Sequence, residues 1–288
     1  MIDQSVRIEP SLPGLPYRGR YGEARPAELA ALALPPAPLP GRLGLRPLKR
    51  WRYVGIFSPA MMACFGQVRV GPARQAFWAI WDRRERRLRQ HTALGTGAVE
   101  LAPGRVRLRQ AEVGVELALQ EQAGVECVCP AGQGYTWTRK QGGVAAKGLV
   151  TLDGRQVELD GRAVIDDSAG YHPRHTHWRW SAGVGEGRRG ESLAWNLVSG
   201  INDPPENSER TVWVDGEPME VPPSRFDPDL GRVDELDFQA EAVRARRENL
   251  LVVRSAYRQP FGTFSGALPG GIALSHGFGV MEEHDVWW

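Results

Sequence analysis

The residues best suited to chemistry in this sequence lie in one stretch, Asp166 to Trp180. It gathers two carboxylates, a tyrosine, three histidines, two arginines and two tryptophans. From His175 to Trp180 the order alternates. On a strand, successive side chains point to opposite faces, so Thr176, Trp178 and Trp180 share one face and His175, His177 and Arg179 the other. The first face is an aromatic wall and the second is cationic and titratable. Gly170 and Pro173 interrupt the strand ahead of it, which sets Asp166 and Asp167 across a turn or bulge. A carboxylic acid held in an apolar barrel keeps its proton at neutral pH. Asp166 or Asp167 could then donate a proton, with Tyr171 orienting the acid, and the π faces of Trp178 and Trp180 suit a cation. The same residues also suit a binding site with no chemistry, in which Arg174 or Arg179 at the mouth holds a carboxylate head group.

Other candidates are less complete. His175 and His177 at i, i+2 could share a metal ion, but no third ligand is evident and Arg174 and Arg179 oppose a cation. Neither a metal nor a cofactor is therefore expected. In the tail, Glu282 and His284 share a strand face and can act as an acid–base pair or as ion-pair locks on a final strand. Gly185 to Gly190 matches the pattern G-x-G-x-x-G, yet a strand follows where a dinucleotide site needs a helix N-terminus, so it reads as a hairpin loop. The basic run Asp82 to Arg89 is broken by Asp82 and Glu85 and reads as a solvated hairpin tip. No G-x-S-x-G, P-loop or H-E-x-x-H pattern occurs.

The elements that must position these groups are strands. After Arg50 the apolar period is two, and Trp51–Phe57, Met61–Val70, Ala73–Asp82, Arg105–Glu112 and Val113–Glu121 read as a meander of hairpins. Gly142-Gly143 and the Asp-Gly pairs at 153–154, 160–161 and 215–216 supply hairpin turns. Helix is expected only at Pro26 to Leu34 and as one short turn at Glu241 to Glu248. About twenty strands exceed one small barrel of about eight and suit two closed or half-closed ones, meeting near residues 160–170. Composition agrees, with 42% hydrophobic and 24% charged residues. A net charge of +2 argues against nucleic acid as the main partner. Cys64, Cys127 and Cys129 form neither a disulfide framework nor a zinc ribbon. With no signal pattern and no run of about 18 apolar residues, a soluble cytoplasmic monomer or homodimer without a transmembrane segment is expected.

An ordered series then carries a resemblance. Arg50-Trp-Arg-Tyr-Val-Gly55, Tyr135-Thr-Trp-Thr-Arg-Lys140, Asp167-Ser-Ala-Gly-Tyr171 through Trp178-Arg-Trp180, Asn196-Leu197, Val214-Asp-Gly216, Phe261 to Gly266 and Gly277 to His284 follow one another. The series resembles the bacterial domain-of-unknown-function family 2804, over residues 50–288. Distant relatives of that family are double-lipocalin proteins, among them carotenoid hydratases, tocopherol cyclases and survival-factor proteins. The resemblance implies an all-β fold of two lipocalin-like antiparallel β-barrels packed side by side. An irregular N-terminal arm (1–44) would precede a first barrel (45–165) and a second (166–288). It also implies a lipophilic small-molecule ligand, such as a lipid, isoprenoid or polyketide-like compound. By motif position it directs the catalytic roles to Asp166 or Asp167 and Tyr171. Ligand contacts are expected from Arg174, His175, His177, Trp178, Arg179, Trp180, Asn196, Glu282 and His284. Two functions are compatible with this: binding of the lipophile, or its conversion by a cofactor-free hydratase, cyclase or isomerase.

Overall fold

The computed structural model describes residues 12–95, 97, 99–250 and 253–288, so the first eleven residues of the N-terminal arm lie outside it. Antiparallel strand dominates. In chain order the strands begin with β1 (Tyr17–Arg20), β2 (Arg42–Leu43), β3 (Arg46–Pro47), β4 (Lys49–Phe57), β5 (Met61–Val70) and β6 (Ala73–Asp82). They continue with β7 (Arg87–Leu94), β8 (Val99–Ala102), β9 (Arg105–Arg109), β10 (Val113–Leu119), β11 (Val125–Ala131), β12 (Gly134–Leu152) and β13 (Arg155–Gly170). After a short crossover come β14 (His175–Gly187), β15 (Ser192–Ser199), β16 (Thr211–Val214) and β17 (Glu217–Glu220). The series closes with β18 (Arg232–Val233), β19 (Leu236–Leu250), β20 (Val253–Leu268) and β21 (Ile272–Trp287). Two curled antiparallel half-barrel sheets result. One runs β7-β6-β5-β4-β13-β12-β10-β9-β8, with β11 and β1 appended to β12, and the other runs β17-β16-β15-β14-β21-β20-β19-β18. The first curls until β8 meets β5, where Gln67 Nε2 donates to the Val99 carbonyl at 2.9 Å. Among the described residues no helix is long and apolar enough to cross a membrane.

Strands buried on both faces explain the near-continuous apolar runs. On β4, Val54 and Ile56 point into the curl of the first sheet, with Phe65, Trp78, Ile80 and Ile165. The alternate residues Tyr53 and Phe57 point outward, with Met62, Trp81 and Val164. There they meet Trp180, Val184, Phe261 and Val280 of the second sheet. A third core around Trp195, Leu197, Phe264 and Met281 fills the second curl. Burying each such side chain contributes about 1.5–3 kcal/mol, so the apolar layer between the sheets holds them together.

Several local expectations are corrected. Residues 26–34 hold only a 3-10 turn, Ala27–Leu29. Pro35 and Pro36 bias the residue before them away from helix, and Leu29, Leu34 and Leu39 anchor the arm against Val128, Trp137 and Tyr171. Glu241 to Glu248 lies within β19, because pairing with β20 satisfies its backbone and leaves alternate residues facing the neighbouring sheet. Gly142-Gly143 is a bulge inside β12, where the register shifts between Gln141 and Val144. A Cβ on Gly142 would lie 2.2 Å from the Trp213 ring, so the glycine admits an indole rather than a turn. Asp160-Gly161 lies within β13. The turns at 153–154 and 215–216 do form, with φ of 49° and 82°, and 51° and 90°. Gly185 to Gly190 does lie at the β14–β15 hairpin.

The chain passes from one sheet to the other through residues 171–174, and two basic side chains are buried there. Lys49 Nζ donates to the carbonyls of His172 (3.1 Å) and Pro173 (3.3 Å) and sits 4.6 Å from the Trp288 ring centroid. Burial and the nearby Arg46 push its ammonium down to about 7. The His172 ring lies tilted against Trp51 with ring centroids 4.9 Å apart, and neither ring nitrogen finds a protein partner. Burial, reinforced by Lys49, pushes this imidazole down to about 3. An unfolded histidine titrates near 6.5, so below that pH the unfolded state binds a proton that the folded state refuses, and stability falls as pH drops. His172→Phe is expected to gain about 2 kcal/mol at pH 5 relative to its effect at pH 8, measured by urea unfolding at both pH values. An equal effect at both would show that His172 is charged when folded.

Candidate functional site

Where the sheets face each other their packing is incomplete, and a cavity of about 250 Å³ opens between them. Strand register decides what lines it. On the second sheet Trp180 stands opposite Glu282, Gln259 opposite Arg244, and Gln259 Nε2 donates to Glu282 at 2.8 Å. Trp180, Glu282, Gln259 and Arg244 thus form one transverse row across β14, β21, β20 and β19. The next row is Trp178, His284, Tyr257 and Arg246. The first sheet answers with Phe77, Gly66, Tyr53, Asp166 and Lys140 in one row, and with Gln75, Val68 and Trp51 in the next. Gly66 matters sterically. The Phe77 ring lies across it, 2.2 Å from where a Cβ would stand, and so reaches the cavity.

Glu282 is a strongly perturbed acid in the wall. It is 7% exposed, and its Oε1 accepts from Trp178 Nε1 at 2.9 Å. Burial pushes its carboxyl up to about 7, against the opposing pull of the Trp178 hydrogen bond, the Tyr257 hydroxyl and the Arg244 guanidinium. The Tyr257 hydroxyl stands close by without settling into a hydrogen bond. His284, next in the strand face, is pushed down to about 3 by burial and by Arg244, and its Nε2 contacts Ser255 Oγ at 2.8 Å. At neutral pH this corner therefore holds a neutral imidazole, a neutral phenol and a carboxyl shared between its acid and base forms.

A second polar cluster forms another part of the wall. Lys140 Nζ lies 2.6 Å from Asp166 Oδ1 and 3.2 Å from Glu209 Oε1, and all three side chains are buried. Trp51 Nε1 donates to Asp166 Oδ2 at 3.1 Å, and Asn202 Nδ2 to Glu209 Oε2 at 3.0 Å. Burial, partly offset by Lys140, raises the Glu209 carboxyl. The flanking carboxylates, outweighing burial, hold the Lys140 ammonium above its ordinary value.

Of the residues expected from sequence, Asp166, Trp178, Trp180, Glu282 and His284 converge on this cavity. The rest do not line it. Asp167 points to the opposite face of β13, where Arg52 holds it at 2.8 Å. Tyr171 is buried beneath the arm and donates to the Pro40 carbonyl at 2.8 Å. Arg174 is exposed. His175, His177 and Arg179 occupy the far face of the second sheet. There His175 contacts Asp285 at 3.1 Å, and His177 and Arg179 contact Glu283 at 3.2 and 2.9 Å. Asn196 works from behind, accepting from Trp180 Nε1 at 2.8 Å and donating to the Glu209 carbonyl at 2.9 Å. Among the described residues no three potential ligands converge on a metal position. The alternation that separates Trp178 from His177 also assigns them to different surfaces. Lys140, Glu209, Arg244 and Tyr257 were not singled out. For Lys140 a signal existed, as one of only three lysines, inside a buried strand.

A family model described as Domain of unknown function (DUF2804) matches residues 95–288. The chain belongs to this family. Within the family match fall Lys140, Asp166, Glu209, Arg244 and Glu282; Trp51, Tyr53 and Phe77 precede it. No curated protein matches the chain. Among solved structures, one provisionally named AttH from Nitrosomonas europaea is similar at 13% identity and TM-score 0.48, covering 88% of this chain and 98% of that one. Kievitone hydratase from Nectria haematococca is similar at 12% identity and TM-score 0.46, covering 82% and 88%. CghA with Sch210972 follows at 11% and 0.39, covering 87% and 93%. At TM-scores below 0.5 none of these similarities bears on the chemistry of this chain.

Proposed function

We propose that this protein binds a lipophilic small molecule in the cavity between its two sheets. The observation that supports this is the wall itself: Trp51, Tyr53, Phe77, Trp178 and Trp180 surround a hollow left within an otherwise filled core. Well-packed interiors keep few voids larger than a water molecule, and ligand pockets are apolar clefts with a few placed polar groups. At about 250 Å³ the space is slightly below the usual range of about 300–1,000 Å³, which suits a ligand the size of a medium-chain lipid or a bicyclic terpenoid. In isothermal titration, 1-decanol is expected to bind saturably at one site. Ile201→Trp, which extends an indole from the half-buried Ile201 in the wall, is expected to abolish that binding. No saturable heat from the parent, or full binding by the filled variant, would refute this reading.

One observation favours conversion as a second reading. Glu282 is a buried carboxyl near 7 at the edge of an aromatic cavity, poised to give or take a proton without any cofactor. Proton donation then falls to Glu282 rather than Asp166, one oxygen of which is held by Lys140. The Trp178 and Trp180 rings would stabilise positive charge developing on a polyene, and the reaction would be hydration, cyclisation or isomerisation.

A further inference from the structure

We propose that Arg244 is an anchor for an anionic group on the ligand, so that the molecule taken up is a lipophilic acid rather than a neutral lipid. This rests on the cavity-binding reading. Arg244 lies in the middle of β19 with 5% exposure, and its side chain lines the cavity. Its guanidinium is clasped between two rings, 4.2 Å from the Phe77 centroid on the first sheet and 4.6 Å from the Tyr257 centroid on the second. Among the described residues it makes one side-chain hydrogen bond, Nη2 to Thr92 Oγ1 at 3.2 Å, and has no carboxylate within 4.0 Å.

That arrangement is unusual for a buried charge. A guanidinium keeps its charge at any ordinary pH, and taking it out of water without a counter-ion is costly even when aromatic faces offset part of the loss. Other buried cations have their donors engaged: Lys140 has Asp166 and Glu209, Arg52 has Asp167 and Glu121, and Lys49 and Arg210, which lack a carboxylate, each donate to backbone carbonyls. Arg244 is oriented by its two rings and left with donors uncommitted, which is the state of a binding group awaiting a partner. The planar fork accepts a carboxylate with two parallel hydrogen bonds. Glu282 is the next acid along the same row, and its oxygens are already engaged by Trp178 and Gln259. The countercharge must come from the ligand, and the aliphatic or aromatic remainder would lie along Tyr53, Trp180 and Trp178.

The test compares decanoate with 1-decanol, one chain length with and without the charge, by isothermal titration at pH 8 on the parent, Arg244→Met and Arg244→Lys. The parent is expected to bind decanoate at least tenfold more tightly than decanol. Arg244→Met should bring the two affinities within about twofold while keeping that for decanol, and Arg244→Lys should retain only part of the preference, since an ammonium is a point charge without the fork. Equal binding of the two probes by the parent overturns the proposal and leaves the cavity reading intact. A preference that survives in Arg244→Met also overturns it. Failure of both probes to bind overturns the cavity reading as well. Because the first comparison uses only the parent, a variant that fails to fold does not remove the test.

Discussion

Glu282→Gln is expected to leave decanol affinity within about threefold while lowering proton transfer to bound lipophile by about 10²–10⁴-fold, the span general acid–base groups usually contribute. The measurement incubates the protein with a panel of conjugated lipophiles in deuterated water and reads deuterium incorporation by mass spectrometry. Glutamine keeps the shape and can still accept from Trp178 Nε1, so the cavity should survive. The pH dependence has a definite sign. With the folded carboxyl near 7, the acid form needed to protonate an alkene is lost as pH rises through about 7. Stability follows the same window. A free glutamate titrates near 4.5, so between about 4.5 and 7 the native state holds a proton that the unfolded chain has released, and native stability declines as pH rises across that interval. Glu282→Gln removes this and should gain on the order of 3 kcal/mol at pH 8 relative to its effect at pH 4. Undiminished incorporation by the variant would end the catalytic reading. Incorporation absent from the parent across the panel would leave binding alone.

Lys140→Met should cost about 3–5 kcal/mol, the usual result of removing one member of a buried ion cluster. The ammonium sits 2.6 and 3.2 Å from two buried carboxylates, and methionine leaves both without countercharge. Without the ammonium the proton affinity of the buried Glu209 rises further, so the loss should be larger at pH 8 than at pH 5. The triple variant Lys140→Met/Asp166→Asn/Glu209→Gln should recover most of the stability, because uncharged groups need no ammonium. Urea unfolding at both pH values measures all of this. A loss under 1 kcal/mol in the single variant would show that water reaches the cluster.

The period-two pattern made the architecture legible. Met61–Val70 and Ala73–Asp82 form the strands read from sequence, and alternation assigned Trp178 and His177 to opposite faces. Alternation could not say which face meets the other sheet. That depends on how each sheet curls, and it leaves His175, His177 and Arg179 on the far surface while bringing Glu282 to the cavity. Arg244 was hidden for a related reason. Glu241 to Glu248 has the charge density of an exposed helical turn, and only the pairing of β19 with β20 turns one of its arginines inward. Gly142-Gly143 and Asp160-Gly161 resemble turns because glycine serves close approach as readily as turning.

The division of the cavity wall between two sheets joined through residues 171–174 has a practical corollary. Cutting the polypeptide there would yield one piece carrying Lys140 and Asp166 and another carrying Arg244 and Glu282, so that on the proposed function each would hold only half of the binding wall. If the pieces reassociate through the hydrophobic seam, recovered uptake would report their reunion, so the protein is a natural candidate for a complementation sensor.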